Sequence, residues 1–450
     1  MEVPTNIALS VDTPRDLSNP SISNLFLDDQ RDVYVEAPWW VKLSVQLNAF
    51  DKSILRKDGR GKENGIDMTA WINSLPRKFD TPIHWPAESL QQLHYPFLQD
   101  ATDLQRIRWK KEYETILQGL GGSWSPLGSK MSYEDFVWGC ECARSRAFSG
   151  SYSGSAFNPA TYALTLLLVT LYVGLNLGTL EQAANGAALV LCATILKDFV
   201  IPKFLKQKRY VICPVIDMAN HVGTGGHSAE VAFEYLRNAY SLSMNQQVSA
   251  NQEVFISYGA RSNDQLLQYF GFVELDNPHD VYVMPSLRQW DIEALEKACG
   301  QKFGSDRLVK LERAGLLGQV TSVDGDDDSA ANRAGGVVIS RAGGVDPAVL
   351  QALRALVSTD EEWKAAGEAI GNFATEFSGG KENERLARLA AKTAFTLELE
   401  SKPTTLKEDE DFLQKMSVSR SIVASNEEHI ALIFRIEKKK LLQEIIASLK

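Results

Sequence analysis

Fifty consecutive residues, 147–196, carry a single charged side chain, Glu181. A stretch this apolar does not persist as a solvated loop, so the fold has to give it something to bury against. Residues 160–178 form a run of nineteen, roughly 28 Å long as a helix at about 1.5 Å per residue, which is enough to cross the core of a bilayer. A second run, 182–196, is shorter and can continue through Phe199 to Leu205. Basic residues flank both sides: Arg144 and Arg146 before, then Lys197, Lys203, Lys206, Lys208 and Arg209 after. The pattern fits a helical hairpin over about 160–205 that enters and leaves the same side of a membrane, its positive ends on one side. It also fits a hydrophobic helix pair packed on the protein itself or on a second subunit, because Thr161, Thr165, Thr170 and Asn176 dilute the first helix.

Outside this stretch the composition is that of an ordinary globular protein. The 450 residues are 44% hydrophobic and 23% charged, enough for two or three domains. Acidic residues outnumber basic ones, 57 to 47, and the formal net charge of -10 argues against a phosphate-binding surface and so against nucleic acid. An acidic surface suits a partner that offers a basic group, such as a lysine. The five cysteines, Cys140, Cys142, Cys192, Cys213 and Cys299, are odd in number and scattered, which suits a reducing compartment. Cys140 and Cys142 flank Glu141, too close for the usual metal-ligand spacing, and no second pair completes a zinc site, so they read as small apolar packing residues and no metal is expected. The opening MEVPTNIALS lacks both the basic-then-apolar order of a secretory signal and the Arg- and Ser-rich character of a transit peptide.

Residues 3–13 read as a strand-like piece, and from residue 28 to about 119 the pattern is helical, interrupted by a charged linker after Phe50 and by Pro76, Pro82 and Pro86. In SYEDFVWGCECARSRAF, Ser132 can cap the amides ahead of it with Asp135 three residues on, and Phe136, Cys140, Ala143 and Ala147 repeat on one face. Arg146 falls at the end of that helix. Beyond Asp280 the chain turns helical and polar. TSVDGDDDSAANRAGG reads as a solvated loop, and residues 346–356, 358–374, 382–399 and 425–449 read as amphipathic helices.

The chemistry is carried by residues 211–282. The strand VICPVI runs into Asp217, Asn220 and His221, so one turn presents a carboxylate, an amide and an imidazole; a second strand ends in Tyr258, with Ser262, Asn263 and the Gly271-Phe272 pair following. Singly these are weak: Asn-His alone means nothing, and a Tyr before Gly is usually a strand end. Together they resemble the SET-domain protein methyltransferases, and most of all the branch of the Rubisco large-subunit lysine methyltransferase. LPRKFDTPIHW resembles the helical insert of that branch, and PTTLKEDEDFL with ALIFRIEKKKLL resembles its C-terminal substrate-binding domain. The resemblance implies an α+β chain: a SET domain over 1–280 with helical inserts at about 28–130 and 151–209, then an all-α domain over 281–450. VPTNIALSVDT resembles the piece that follows the Gly-rich opening strands of the branch, so an N-terminally truncated SET domain is expected.

The same resemblance implies S-adenosyl-L-methionine as cofactor and a protein lysine as acceptor, on a non-histone protein. Tyr258 matches the tyrosine whose hydroxyl faces the methyl and amine. Arg146 matches the arginine that holds the cofactor's carboxylate, a task suited to a bidentate fork, although a cation ending a helix also has a capping role there. The Ser145 carbonyl is an acceptor toward the reacting groups, Asn220 and His221 grip the cofactor, Asp217 supports the turn, and Phe270 lines the cofactor side. Two positions depart from the lysine pattern. Phe270 stands where a YGF tyrosine is expected, and Phe233 stands near the place of a second active-site tyrosine, which leaves product multiplicity and target residue open. GARSN resembles the loop of a histidine methyltransferase relative. A SET-shaped module that binds a protein partner without catalysis is the rival reading. Plastid or cytoplasmic residence follows from the resemblance, with membrane attachment if the hairpin inserts.

Overall fold

The computed structural model describes residues 1–5, 7–13, 20–54, 68–151, 159–175, 177–196, 200, 208–223, 226–234, 237–318, 336–376, 380–418 and 425–449. Most of the linker expected after Phe50, and the loop expected at 321–336 save its last residue, lie outside them. The chain divides into two compact units, Met1–Lys78 with Trp109–Tyr258 and Phe79–Arg108 with Gly259–Lys450.

In the first unit the strands β1 (Glu2–Pro4) and β2 (Leu9–Thr13) lead into the helices α1 (Trp39–Asp51), α2 (Met68–Ser74), α3 (Pro96–Gly119, of which the part from Trp109 belongs here) and α4 (Tyr133–Arg146). Then come β3 (Phe148–Ser151), α5 (Pro159–Gly174), α6 (Leu180–Ile195), β4 (Lys208–Ile212), β5 (Asn220–His221), β6 (Ala229–Glu234), β7 (Ala239–Met244) and β8 (Phe255–Ile256). They form three small sheets, ordered β1-β7-β6, β2-β4-β3 and β5-β8. The first two are antiparallel, with Val3 opposite Tyr240, and with Val11 and Ser149 both opposite Tyr210; β5 and β8 run parallel.

α1 is buried on every side from Trp40 to Ala49, polar residues included. Burying polar groups is tolerable because each is used: Lys42 donates to the Asp12 carbonyl at 3.1 Å, Ser44 to that of Phe136 at 2.9 Å, Gln46 to that of Ser10 at 3.2 Å, and Asn48 to that of Asp135 at 3.0 Å. These bonds tie α1 to β2 and α4. Helix α4 begins with the box read from the sequence, Ser132 Oγ accepting from the Asp135 amide and the Asp135 carboxylate from the Ser132 amide. Gly139 lets the helices close, since a Cβ there would lie 2.4 Å from Ser44 Oγ. Arg146 thus stands at the C-terminal end of a helix that is packed closely against α1.

The expectation of a membrane-crossing hairpin is corrected here. Among the described residues no helix is long and apolar enough to cross a membrane. The run 160–178 does not continue as one helix: α5 ends at Gly174, and Thr179 opens α6 with a capping box to Gln182. Each helix has 16 residues, about 24 Å, against about 30 Å of hydrocarbon. Apolarity alone ran through the turn; the Thr179 cap breaks it. Part of the expected range, 197–199 and 201–205, lies outside the described residues. Many hairpin side chains are exposed, including Leu166 at 70% and Leu189 at 72%. Replacing both by Gln is therefore expected to shift the unfolding free energy by less than ~0.5 kcal/mol each while lowering the binding of a hydrophobic dye. A loss of several kcal/mol in urea titrations would show instead that these side chains are buried in the native protein.

The second unit has the helices α7 (Asn263–Phe270), α8 (Ile292–Cys299), α9 (Pro347–Val357), α10 (Lys381–Glu400), α11 (Leu406–Val418) and α12 (Asn426–Ser448). A sheet of β9 (Val281–Met284), β10 (Val337–Ser340) and β11 (Gly344–Val345), ordered β11-β10-β9, shares one apolar core with them, in which Leu356, Phe395, Phe434 and Leu442 are buried. The helix expected over 358–374 is instead a short helix, Asp360–Ala365, and a 3-10 turn, Ile370–Phe373, because Gly367 and Glu368 take positive φ (62° and 56°) between them. Ser262 caps α7 through Gln265, and Gly271 ends it at φ 77°.

Candidate active site

Five of the residues singled out from the sequence meet in the first unit. After β4, Val215 takes φ 75°, ψ -44°. A β-branched residue there costs of order 1–3 kcal/mol, strain typical of a functional turn. The kink folds the chain into the 3-10 turn Ile216–Met218, with the Asp217 amide donating to the Cys213 carbonyl at 2.9 Å, and it turns the Asp217 side chain inward, where none of it is exposed.

Arg146 reaches this turn from the end of α4, 71 residues away in sequence. Its Nη1 donates to the Asp217 carbonyl at 3.0 Å and to Asp217 Oδ2 at 3.2 Å. From α2 the Trp71 indole Nε1 donates to Asp217 Oδ1 at 3.1 Å and Oδ2 at 3.3 Å. Burial pushes the Asp217 carboxyl above its ordinary value, and the Arg146 charge and the Trp71 and Arg146 hydrogen bonds pull it back. The Nε of Arg146 is buried and has no hydrogen-bond partner among the described residues.

Asn220 and His221 form β5, whose parallel pairing with β8 places His221 opposite Ile256. Two residues on, the Tyr258 amide donates to His221 Nδ1 at 3.0 Å, which puts the ring's proton on Nε2. The two rings stack with centroids 5.0 Å apart. The Tyr258 hydroxyl donates to the Ala219 carbonyl at 2.9 Å. Burial raises its pKa above 10, with Arg146 opposing and Asp217 and Glu253 adding to the rise, so the phenol stays protonated. The Asn220 amide donates to Glu253. Ser145, next to Arg146, spends its hydroxyl on the Glu141 carbonyl at 2.7 Å.

The chain matches solved structures with this fold. It superposes on the crystal structure of the SET domain of LSMT bound to lysine and AdoHcy with a TM-score of 0.57 at 18% identity, covering 100% of this chain and 80% of that one. The chain has a SET-domain fold. A structure of Rubisco LSMT bound to AdoMet matches this chain with a TM-score of 0.56 at 18% identity over the same shares. Residues 301–442 match the family model described as Rubisco LSMT substrate-binding, so the SET fold is followed by a helical region of that type. The mouse SET domain-containing protein 4 is 34% identical over 68 residues, and the chain spans only 15% of that relative's length.

Within this SET fold, Phe270 belongs to the second unit, where it closes α7 with its ring 6.3 Å from that of Phe272. Asn263 is also structural there, its amide donating to Asp280 Oδ1 at 2.8 Å. Phe233 lies on β6 against Tyr240, ring centroids 5.1 Å apart. Three participants were missed in the sequence: Trp71, Glu253 and the Ala219 carbonyl. Glu253 and Ala219 had no signal beyond lying near the motif. Trp71 carried one that was not used, an indole on a helix of the segment that resembles the SET insert.

Proposed function

We propose that the chain is an S-adenosylmethionine-dependent protein-lysine N-methyltransferase acting on a non-histone protein. The observation that supports it is the joining of Arg146, Asp217, His221 and Tyr258 from three separated segments into one half-buried polar group. The residues also fit the cofactor: among the described residues the buried Nε–H of Arg146 lacks an acceptor, and a carboxylate would supply one beside the Nη1 contact already made to Asp217.

The bound cofactor supplies a methyl group on a cationic sulfur. Arg146 would hold the carboxylate end, and its bonds to Asp217 would keep the guanidinium from turning. His221, its Nδ1 engaged by the Tyr258 amide, presents Nε2–H as a donor, and Asn220 adds an amide alongside. A lysine amine can accept a methyl group only when neutral, so it would give up its ammonium proton to solvent before it is aligned in the half-buried site. Tyr258 suits the alignment. Its own proton points to the Ala219 carbonyl, so the phenol oxygen turns lone pairs outward as an acceptor that orients the amine, while the high phenol pKa keeps a competing anion out of the site. The Ser145 carbonyl is a second acceptor in this reading. The acceptor lysine, and plastid residence, are implied by the likeness to the Rubisco branch.

Calorimetric titration with S-adenosylmethionine and a methyl-transfer assay test the proposal together. Tyr258→Phe is expected to bind the cofactor as the parent does and to transfer methyl groups about 10²-fold more slowly. Parent-like transfer by Tyr258→Phe would overturn the assignment, and a parent that takes up no cofactor would leave the protein-binding module as the reading.

A further inference from the structure

We propose that Trp71 is a positioning residue for this site: its indole N–H holds the Asp217 carboxylate in the orientation from which that carboxylate aligns the Arg146 guanidinium for the carboxylate end of S-adenosylmethionine. The inference rests on the function proposed above and adds to it a contact from a helix in the segment that resembles the SET insert.

A buried carboxylate has to be satisfied, and Asp217 has no exposed side-chain surface. Its Oδ2 takes a bond from Arg146, while Oδ1 and Oδ2 both face the Trp71 nitrogen, at 3.1 and 3.3 Å. Beside the Val215 backbone amide, which also bonds to this carboxylate, the indole is the side-chain donor that straddles both oxygens and so fixes their plane without neutralising the charge. Arg146 then meets an oxygen in a set direction rather than a rotating pair. A cation in place of the indole would compete with Arg146 for the charge.

A buried indole N–H generally finds some acceptor, so the choice of acceptor is what discriminates. Trp85, Trp138 and Trp290 donate to the backbone carbonyls of Asp80, Pro76 and Pro285. Trp71, 5% exposed, reaches 146 residues along the chain to a side-chain carboxylate instead. A tryptophan needed only for packing would be served by a nearby carbonyl.

The test has one arm that needs no ligand. The nine tryptophans give nine indole N–H signals in a ¹⁵N-labelled full chain, and the signal missing from Trp71→Phe is that of Trp71. The titratable and charged groups around Asp217 are Arg146 and Cys142 on α4, Cys213 after β4, His221 on β5 and Tyr258 after β8. Burial pushes both thiols and the phenol up, so an acidic-range titration sensed by Trp71 comes from Asp217 or from the His221 imidazole, and Asp217→Asn tells the two apart because it removes only the first. The Trp71 signal is expected to follow that titration in the parent and to lose it in Asp217→Asn. Should Trp71→Phe fail to fold, Trp71→Tyr identifies the signal in the same way.

In the second arm, Trp71→Phe is expected to weaken S-adenosylmethionine binding about tenfold in the parent, as for a lost hydrogen bond to a charged group, and by less than about twofold in an Asp217→Asn background. An indole signal indifferent to Asp217→Asn, or equal penalties in both backgrounds, overturns the positioning role. A parent that binds no S-adenosylmethionine while its Trp71 signal still tracks Asp217 overturns the proposed function and leaves the clamp on the carboxylate standing.

Discussion

Replacing Lys438 by Met is expected to cost about 3–5 kcal/mol of stability, among the largest effects available to a single substitution in this chain. The Lys438 ammonium lies within the second unit, 3% exposed, and its three protons go to Asp264 Oδ2 at 2.6 Å, Asp280 Oδ1 at 2.8 Å and the Val281 carbonyl at 2.6 Å. One cation thus joins α7, β9 and α12. Methionine matches its length and apolar stem but leaves two carboxylates facing each other without a counter-charge. The pH dependence gives the diagnosis. Burial already raises the Asp264 carboxyl from 3.8 to about 6, against the pull of Lys438, and losing the ammonium raises it further. A carboxyl whose folded pKa lies above its unfolded value contributes stability that is complete below the unfolded value and is lost as pH rises through the folded one. The deficit of Lys438→Met should therefore be smallest near pH 4 and grow through pH 6 and beyond. Urea titrations at pH 4.5, 6 and 8 measure it. A deficit under 1 kcal/mol, or one equal at all three values, would mean that the three-way contact does not exist in solution.

What the sequence revealed, and what it hid, follows from the range of the interactions. The Ser132 box was legible because both partners lie three residues apart and belong to one helix start. The box at Thr179 has the same form, yet the apolar run around it concealed it, and the helix was extended through a turn. Asp217, Asn220, His221 and Tyr258 could be picked out because a strand end followed by polar residues is a local pattern. Their bonds could not, since Tyr258 meets His221 across 37 residues and Arg146 meets Asp217 across 71. Trp71 was hidden for a different reason. An aromatic residue on an amphipathic helix satisfies every expectation of a core residue, and only the position of its nitrogen, invisible to periodicity, separates packing from positioning. The same holds for Lys42, Ser44, Gln46 and Asn48, polar residues on a helix buried all round: each donates to a carbonyl of another element, which no spacing along α1 reports.

Arg146 separates structure from cofactor binding more sharply than any other position in the site. Arg146→Met removes the cation beside a carboxylate with no exposed surface, and the expected cost is again about 3 kcal/mol, because Asp217 is left with neutral donors, the Trp71 indole and the Val215 amide. Asp217 already has a raised folded pKa, and without the guanidinium it rises further, so the loss should deepen as pH rises and shrink toward pH 4. Adding Asp217→Asn should recover more than half of the stability, since the buried charge then goes with its partner. Arg146→Lys is the informative variant. An ammonium replaces the missing charge and should restore most of the stability, but it offers a point charge where the proposed carboxylate needs the paired donors of a planar fork. Stability near the parent's, with S-adenosylmethionine affinity reduced tenfold or more, is thus the expected result for Arg146→Lys. Equal recovery of both would show that Arg146 acts on the cofactor as a general positive charge, or not at all, and that its place at the end of α4 serves the Asp217 turn alone.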